Sequence, residues 1–180
     1  MLKKLSKWEL GGLITVLIAG SLLHFVYGWL NQNALVGAFS PVNESTWEHL
    51  KLLFYPMLLY SIVEYALAGR EAEGFWWAKA SGLLAGLAAI VVLFYTYTGI
   101  IGRNFLWADI LTFVLGAAIA YWVGWRQLQR GRHADFRQEG VALAVLFLLL
   151  LCFILFTYFP PAIGLFQDPV TGGYGMVTAM

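Results

Sequence analysis

FWWAKASGLLAGLAAIVVLFYTYTGII, residues 75–101, carries one charged side chain, Lys79, at its start and none after it. A helix crossing the hydrocarbon of a bilayer needs about 20 mainly apolar residues. This run meets that requirement, so the chain reads as a membrane protein. Four other segments read the same way: about Trp8 to Leu30, Thr46 to Ala68, Leu106 to Trp125, and Gly140 to Phe159. The fold expected is all-α, a bundle of five transmembrane helices in a single integral membrane domain spanning residues 1–180.

Composition agrees. The 180 residues are 61% hydrophobic and 12% charged, whereas soluble domains average about 45–50% apolar and roughly 25% charged. The formal net charge of +1 gives no bulk attraction for nucleic acid, which is excluded as a partner class. The single cysteine, Cys152, lies in an apolar run, so no intrachain disulfide can form. Eight Trp and nine Tyr suit a protein with two membrane–water interfaces.

Lys3, Lys4 and Lys7 precede the first apolar run. That run exceeds the roughly 7–15 residues of a signal-peptide core and lacks a small-x-small cleavage site, so it reads as a retained helix. Arg70, Lys79, Arg126, Arg130, Arg132 and Arg137 fall on the same side as the N-terminal lysines, and only Lys51 and Arg103 fall on the other. The positive-inside rule then makes the N-terminus cytoplasmic and the C-terminus extracytoplasmic in a multi-pass cell-membrane protein. No repeat of solenoid length occurs. After residue 160, Pro160-Pro161, Asp168-Pro169 and Gly172-Gly173 are turn formers, so residues 160–180 read as an apolar tail folding over the outer mouth with the Asn31–Ser45 loop.

The most polar stretch is FSPVNESTWEHLKLLFYP, residues 39–56. Pro41 breaks any preceding helix, Asn43 is a plausible N-cap, and Glu44 falls where the positive end of the helix dipole favours a carboxylate. Glu44, Glu48, Lys51 and Tyr55 form one stripe, with His49 about 100° from Glu48. Pro56 should kink the helix and free the carbonyl near Leu52. His24, Tyr27 and Asn31 share one face of the first helix. Tyr95 to Thr98, Asp109, Thr112, Thr157, Tyr158, Asp168 and Tyr174 fall on the same outer level. Ionisable groups at membrane depth cost about 2.5–3.5 kcal/mol each at the bilayer centre, so they face a cavity or one another. An outward-open polar pocket is expected.

The stretch Ser40-Pro41-Val42-Asn43-Glu44-Ser45-Thr46-Trp47-Glu48-His49-Leu50-Lys51 resembles the signature of a family of small bacterial and archaeal integral membrane proteins of unknown function. His24-Phe25-Val26-Tyr27-Gly28-Trp29 and Asp168-Pro169-Val170-Thr171-Gly172-Gly173-Tyr174-Gly175 look like the rest of it. The resemblance covers the whole chain and implies a multi-spanning protein without an assigned activity. The chain also loosely resembles membrane hydrolases that hold zinc with His and Asp from several helices, but it lacks their HxxxH pair.

A divalent metal such as zinc favours imidazole nitrogen with carboxylate oxygen and, when catalytic, keeps one position for water. His24, Glu44, Glu48, His49 and Asp109 are the candidate ligands. Glu48 and Glu44 are candidate general base or orienter, and Lys51 the candidate stabiliser of a developing negative charge. Tyr27, Asn43, Tyr55, Asp168 and Tyr174 are candidates to complete a substrate pocket. The competing structural reading pairs Glu48 with Lys51 at i,i+3 and hydrogen-bonds His24 to a carboxylate. Elsewhere, Glu64 is expected to pair with Lys79, with Tyr60 one turn earlier. His133 should be solvated in an Arg-rich loop. Trp76, Trp77, Trp122 and Trp125 read as interface anchors, and Gly82 with Gly86 as a close helix contact. Asn43-Glu44-Ser45 matches a glycosylation pattern but reads better as a cap, and Ser40 and Ser45 have simpler jobs than nucleophile. No Ser-His-Asp order, phosphate loop or CxxC occurs.

The leading functional expectation is a membrane hydrolase or transferase acting on a lipid or amphipathic substrate at the outer leaflet. The alternatives are a transporter or carrier of ions or small solutes, and a non-catalytic subunit. Partners open to such a chain are membrane lipid, a second copy in a homo-oligomer, or other subunits of a membrane complex.

Overall fold

A computed structural model describes residues 2–130 and 136–176; Arg132 and His133 lie outside the described residues. The chain is all-helical. Helix α1 spans Leu2–Trp29, α2 is a single turn at Ala34–Gly37, and α3 spans Thr46–Glu64 and runs on through a π turn at Tyr65–Gly69. Helix α4 spans Phe75–Ile101, α5 Leu106–Gln129 and α6 Phe136–Tyr158, with a 3₁₀ turn at Gly164–Phe166 in the tail. Five helices, all but α2, are long and apolar enough to cross a membrane. Short connections make successive spans antiparallel. The bundle thus has an N-terminal end and a far end, where α1 finishes, α3 starts, α4 finishes, α5 starts and α6 finishes.

The outer surface supports the same reading. Leu10, Ile14, Ile18, Leu22, Phe25 and Trp29 of α1 are all exposed. Their spacing of three or four residues makes one continuous stripe, far more apolar surface than a water-soluble monomer shows. It is the kind of surface that a helix turns toward lipid. The helices extend past their apolar runs: α1 takes in the basic first turn, where the Lys4 ammonium donates to the Leu67 carbonyl at 2.9 Å. Helix α6 begins four residues before Gly140, and Glu139 in that added turn accepts the Trp76 amide at 3.1 Å. Helices end where their terminal backbone groups find partners, which hydropathy does not register.

Helix α3 is the central element, with half of its most apolar stretch buried, a larger share than in any other span. Leu53, Phe54 and Met57 are at most 1% exposed and pack with Leu83 of α4 and Phe153 of α6. Asn43 is not its N-cap. Ser45 takes that position, its hydroxyl accepting from the Glu48 amide at 3.3 Å, while Asn43 Oδ1 accepts from the Ser45 amide at 2.9 Å. The two polar residues divide the work of a turn and a cap. Glu44 accordingly sits just before the helix. Pro56 lies inside α3, where its missing N–H leaves the Leu52 carbonyl without its usual partner. Helix α1 covers that carbonyl at Gly20, whose lack of a side chain permits the approach: a Cβ there would collide with the Leu52 oxygen.

The α4–α5 pair is built the same way. Gly82 and Gly86 face Gly116, Ala120 and Gly124, and a Cβ on Gly86 would lie 2.7 Å from the Gly116 carbonyl oxygen. Small residues let two backbones pack closely in lipid, where no hydrophobic force joins helices. At the far end the tail drapes over the start of α3. Phe166 is buried, its ring centroid 4.9 Å from that of Trp47, and Asn43 Nδ2 donates to the Gly175 carbonyl at 2.9 Å.

Gly86→Leu should overpack the α4–α5 seam and lower stability by at least about 1–3 kcal/mol, whereas Gly99→Ala, at a position open to its surroundings, should change it little. Equilibrium unfolding of both variants in mixed micelles reads the difference.

Candidate functional site

The polar residues of the 39–56 stretch separate into two clusters. The first centres on the Lys51 ammonium, which is fully buried. It donates to Glu48 Oε2 and Thr157 Oγ1, each at 2.6 Å, and to the Gly37 carbonyl at 2.8 Å, with the Ser40 carbonyl at 3.4 Å. Glu48 Oε2 also accepts the Val42 amide at 3.0 Å, and Oε1 accepts the Thr157 hydroxyl at 3.0 Å. Both ions are therefore paired and their hydrogen-bonding capacity is used, the condition under which charges tolerate burial. The cluster ties the Gly37–Val42 loop, the first turns of α3 and the end of α6 into one unit. Ser40 adds a second tie: its hydroxyl donates to the Leu23 carbonyl at 2.7 Å and accepts the Tyr27 amide at 3.1 Å. Tyr55 donates to the Ala38 carbonyl at 2.8 Å.

The second cluster lies on the neighbouring face of α3. His49 Nε2 is 3.3 Å from Glu44 Oε2, and His24 Nε2 is 3.9 Å from Glu44 Oε1. The imidazole centroids of His24 and His49 are 5.1 Å apart. One ligand-capable atom from each of the three residues falls within 4.8 Å of the other two. The three come from α1, the loop before α3, and the first turn of α3. His49 Nδ1 is 2.9 Å from the Ser45 carbonyl. A carbonyl only accepts, so Nδ1 carries the proton and Nε2 is the nitrogen left to meet Glu44 or a metal, the outer hydrogen bond usual for a metal-ligating imidazole. His24 Nδ1 is buried and has no hydrogen-bond partner among the described residues. The Glu44 side chain is half exposed, so the cluster is reachable. The His49 imidazole holds the Glu44 carboxyl below its usual value, while partial burial pulls the other way and His24 adds a smaller attraction. Glu44 is thus a carboxylate across the neutral range, the form a metal requires.

Of the five candidate metal ligands, His24, Glu44 and His49 converge. Glu48 is held by Lys51, Thr157 and the Val42 amide. Asp109 accepts from the Tyr97 hydroxyl and from Asn104 Nδ2 at 3.0 Å, tying the α4–α5 turn together, although it remains within electrostatic range of His49. Among the pocket candidates, Asn43 anchors the tail. Asp168 is buried and organises a turn, accepting the Val170 amide at 3.0 Å and the Thr171 hydroxyl at 2.7 Å. Tyr174 pairs across that turn with Gln167. Tyr27 lies half-buried beside Gly37.

Sequence reading passed over two residues. Thr157 was seen only as one of several polar groups on the outer level, and its role in holding Lys51 and Glu48 depends on a contact between distant parts of the chain. Glu9 was overlooked at the N-terminal end. It is 6% exposed and its Oε1 lies 2.6 Å from the Lys79 ammonium, which also reaches Glu64 Oε2 at 2.6 Å. The signal for it was available, since a lone carboxylate inside a spanning run needs a partner.

Lys51→Met leaves the Glu48 carboxylate buried and unpaired, so it should cost about 3–5 kcal/mol, and Lys51→Met combined with Glu48→Leu should recover much of that loss. Denaturant unfolding of the single and double variants measures it. On the acid side, Glu44 contributes stability above its ordinary carboxylate range and loses it as pH falls through its lowered value; Glu44→Gln should flatten that acid limb.

No curated protein and no solved structure matches the chain. Residues 1–176 match the family described as "Family of unknown function (DUF6512)", and the chain belongs to that family.

Proposed function

We propose that the protein is a divalent-metal-dependent membrane enzyme, a hydrolase or group transferase acting on a lipid or other amphipathic substrate at the far end of the bundle. We take that end as the extracytoplasmic one, with the N-terminus in the cytoplasm, a reading that the Lys and Arg distribution favours. The observation that carries the reading is the convergence of His24, Glu44 and His49 on one point within 4.8 Å. Two imidazoles and a carboxylate are the donor set of a catalytic zinc with a position left for water.

A metal held by His24, Glu44 and His49 would supply a water made acidic enough to serve as a nucleophile toward an ester or phosphodiester near neutral pH. In a transferase, an acceptor hydroxyl would take the place of that water. Glu48 and Lys51 serve this site by fixing the loop and the α3 turn that present Glu44 and His49. Support for an amphipathic substrate comes from the surroundings of His24. The Phe25 ring is 5.0 Å from it and stacks with Trp29 at 5.9 Å, and both aromatics are exposed at the end of the α1 lipid-facing stripe. Such rings sit at the headgroup level, so an acyl chain lying along α1 would bring its polar head to the His24 imidazole.

Equilibrium dialysis against zinc should give one tightly bound ion per chain, lost in His24→Ala, His49→Ala and Glu44→Gln and retained in His133→Ala. Binding should weaken on acidification, because protons compete with the metal for the imidazole nitrogens. Hydrolysis of a micellar acyl ester or phosphodiester should be lost on chelation and restored by zinc. Failure to bind a stoichiometric metal, or equal binding by the His24 and His49 variants, would overturn the proposal.

A further inference from the structure

At the opposite end, the Lys79 ammonium contacts two carboxylates, Glu9 of α1 and Glu64 of α3. All three are at least nine-tenths buried. One oxygen of each carboxylate lies 2.6 Å from the same ammonium nitrogen, so the two carboxyl groups crowd one cation. Two ionised carboxylates are both acceptors and repel at such range; a proton between them turns the contact into a hydrogen bond. Among the described residues, Glu9 Oε2 and Glu64 Oε1 have no hydrogen-bond partner, and neither has the buried Tyr121 hydroxyl of α5.

Among the described residues, Lys79 is the one cation within salt-bridge distance of either carboxylate. On α3, Tyr60 donates to the Trp8 carbonyl at 2.8 Å. Lys4 is held by the Leu67 carbonyl, Glu139 of α6 by the Trp76 amide, and the Arg126 guanidinium lies over the Trp122 ring at 5.8 Å. On α4, Phe75 sits 5.2 Å beneath the Lys79 ammonium, and the Tyr121 ring lies 5.6 Å from it. With all three ions charged, the described cluster carries a net charge of −1 inside the bundle, which low-dielectric surroundings oppose strongly. An open groove of about 270 Å³ between α1 and α5 is lined by Glu9, Tyr121, Trp122 and Trp125, and so borders the cluster.

We infer that Glu9, Glu64 and Lys79, with the Tyr121 hydroxyl beside them, form a proton-binding site that holds one proton between the two carboxyl groups at neutral pH and exchanges it through the α1–α5 groove. The proton neutralises the cluster and supplies the donor that two carboxylates lack. This site is independent of the metal reading, since it lies at the other end of the bundle and uses none of the same residues.

Infrared spectroscopy of the full-length protein in lipid nanodiscs at neutral pH tests it. The wild type should show the carbonyl stretch of one protonated carboxylic acid, shifting in D₂O. Glu9→Gln and Glu64→Gln should each abolish that band, because the remaining carboxylate then balances Lys79 alone. Lys79→Met should double the band, because both carboxyls must then be protonated, a response that loss of packing would not produce. Each Glu→Gln variant removes a different carboxylate, so failure of one to fold leaves the other to decide. A wild type without the band, a band that persists in the Glu→Gln variants, or a band that appears only when sodium is withheld would overturn the inference.

Discussion

The Lys51 ammonium has no water to turn to. It lies fully buried at the far end of the bundle, and a cation there is tolerable only if fixed oxygens replace its hydration shell. Three parts of the chain supply them: the carbonyls of Gly37 and Ser40, the Glu48 carboxylate, and the Thr157 hydroxyl. Meeting that demand draws the loop after α2 onto α3 and brings the end of α6 beside both. The Ser45 cap, the His49 turn and the position of Glu44 follow from where that loop is held. The polar anchor that the membrane makes obligatory is also what positions the exposed cluster beside it.

The two ends of the bundle solve the problem of intramembrane charge differently. At the far end Glu48 and Lys51 balance one to one and the hydrogen bonds close. At the N-terminal end one ammonium meets two carboxylates, and atoms remain unpartnered. Between them the helices are joined by shape: glycines at α4–α5 and Gly20 over the Pro56-freed carbonyl bring backbones together, as suits helices that gain nothing from excluding lipid. The middle of the bundle is closely packed, and the buried charged groups gather toward its ends.

Much of the architecture was legible because a bilayer imposes a length and a polarity that sequence displays directly. The 75–101 run coincides with α4, the Gly82/Gly86 pair lies at a helix contact, and the Glu64–Lys79 pair forms. Helix ends were less legible: α1, α5 and α6 run past their apolar limits because terminal bonds, such as Glu139 to the Trp76 amide, fall outside any hydropathy window. The candidate site was legible as a set of residues but not as a partition. Helical spacing put Glu44, Glu48, Lys51 and Tyr55 on one stripe with His49 beside it. The structure sends Glu48, Lys51 and Tyr55 inward and leaves Glu44, before the helix begins, to join His49 and His24. What divided them was the capping choice of Ser45 over Asn43 and the remote Thr157 hydroxyl, neither of which a local pattern reveals.

The proposed metal site at His24, Glu44 and His49 is tested most directly by X-ray absorption at the zinc edge of the zinc-loaded protein. Zinc held by these three residues should show a shell of nitrogen and oxygen neighbours at about 2.0–2.2 Å, with multiple scattering from two imidazoles and no sulfur. A shell containing sulfur from Cys152 or a methionine, or a zinc ringed only by water, would contradict it.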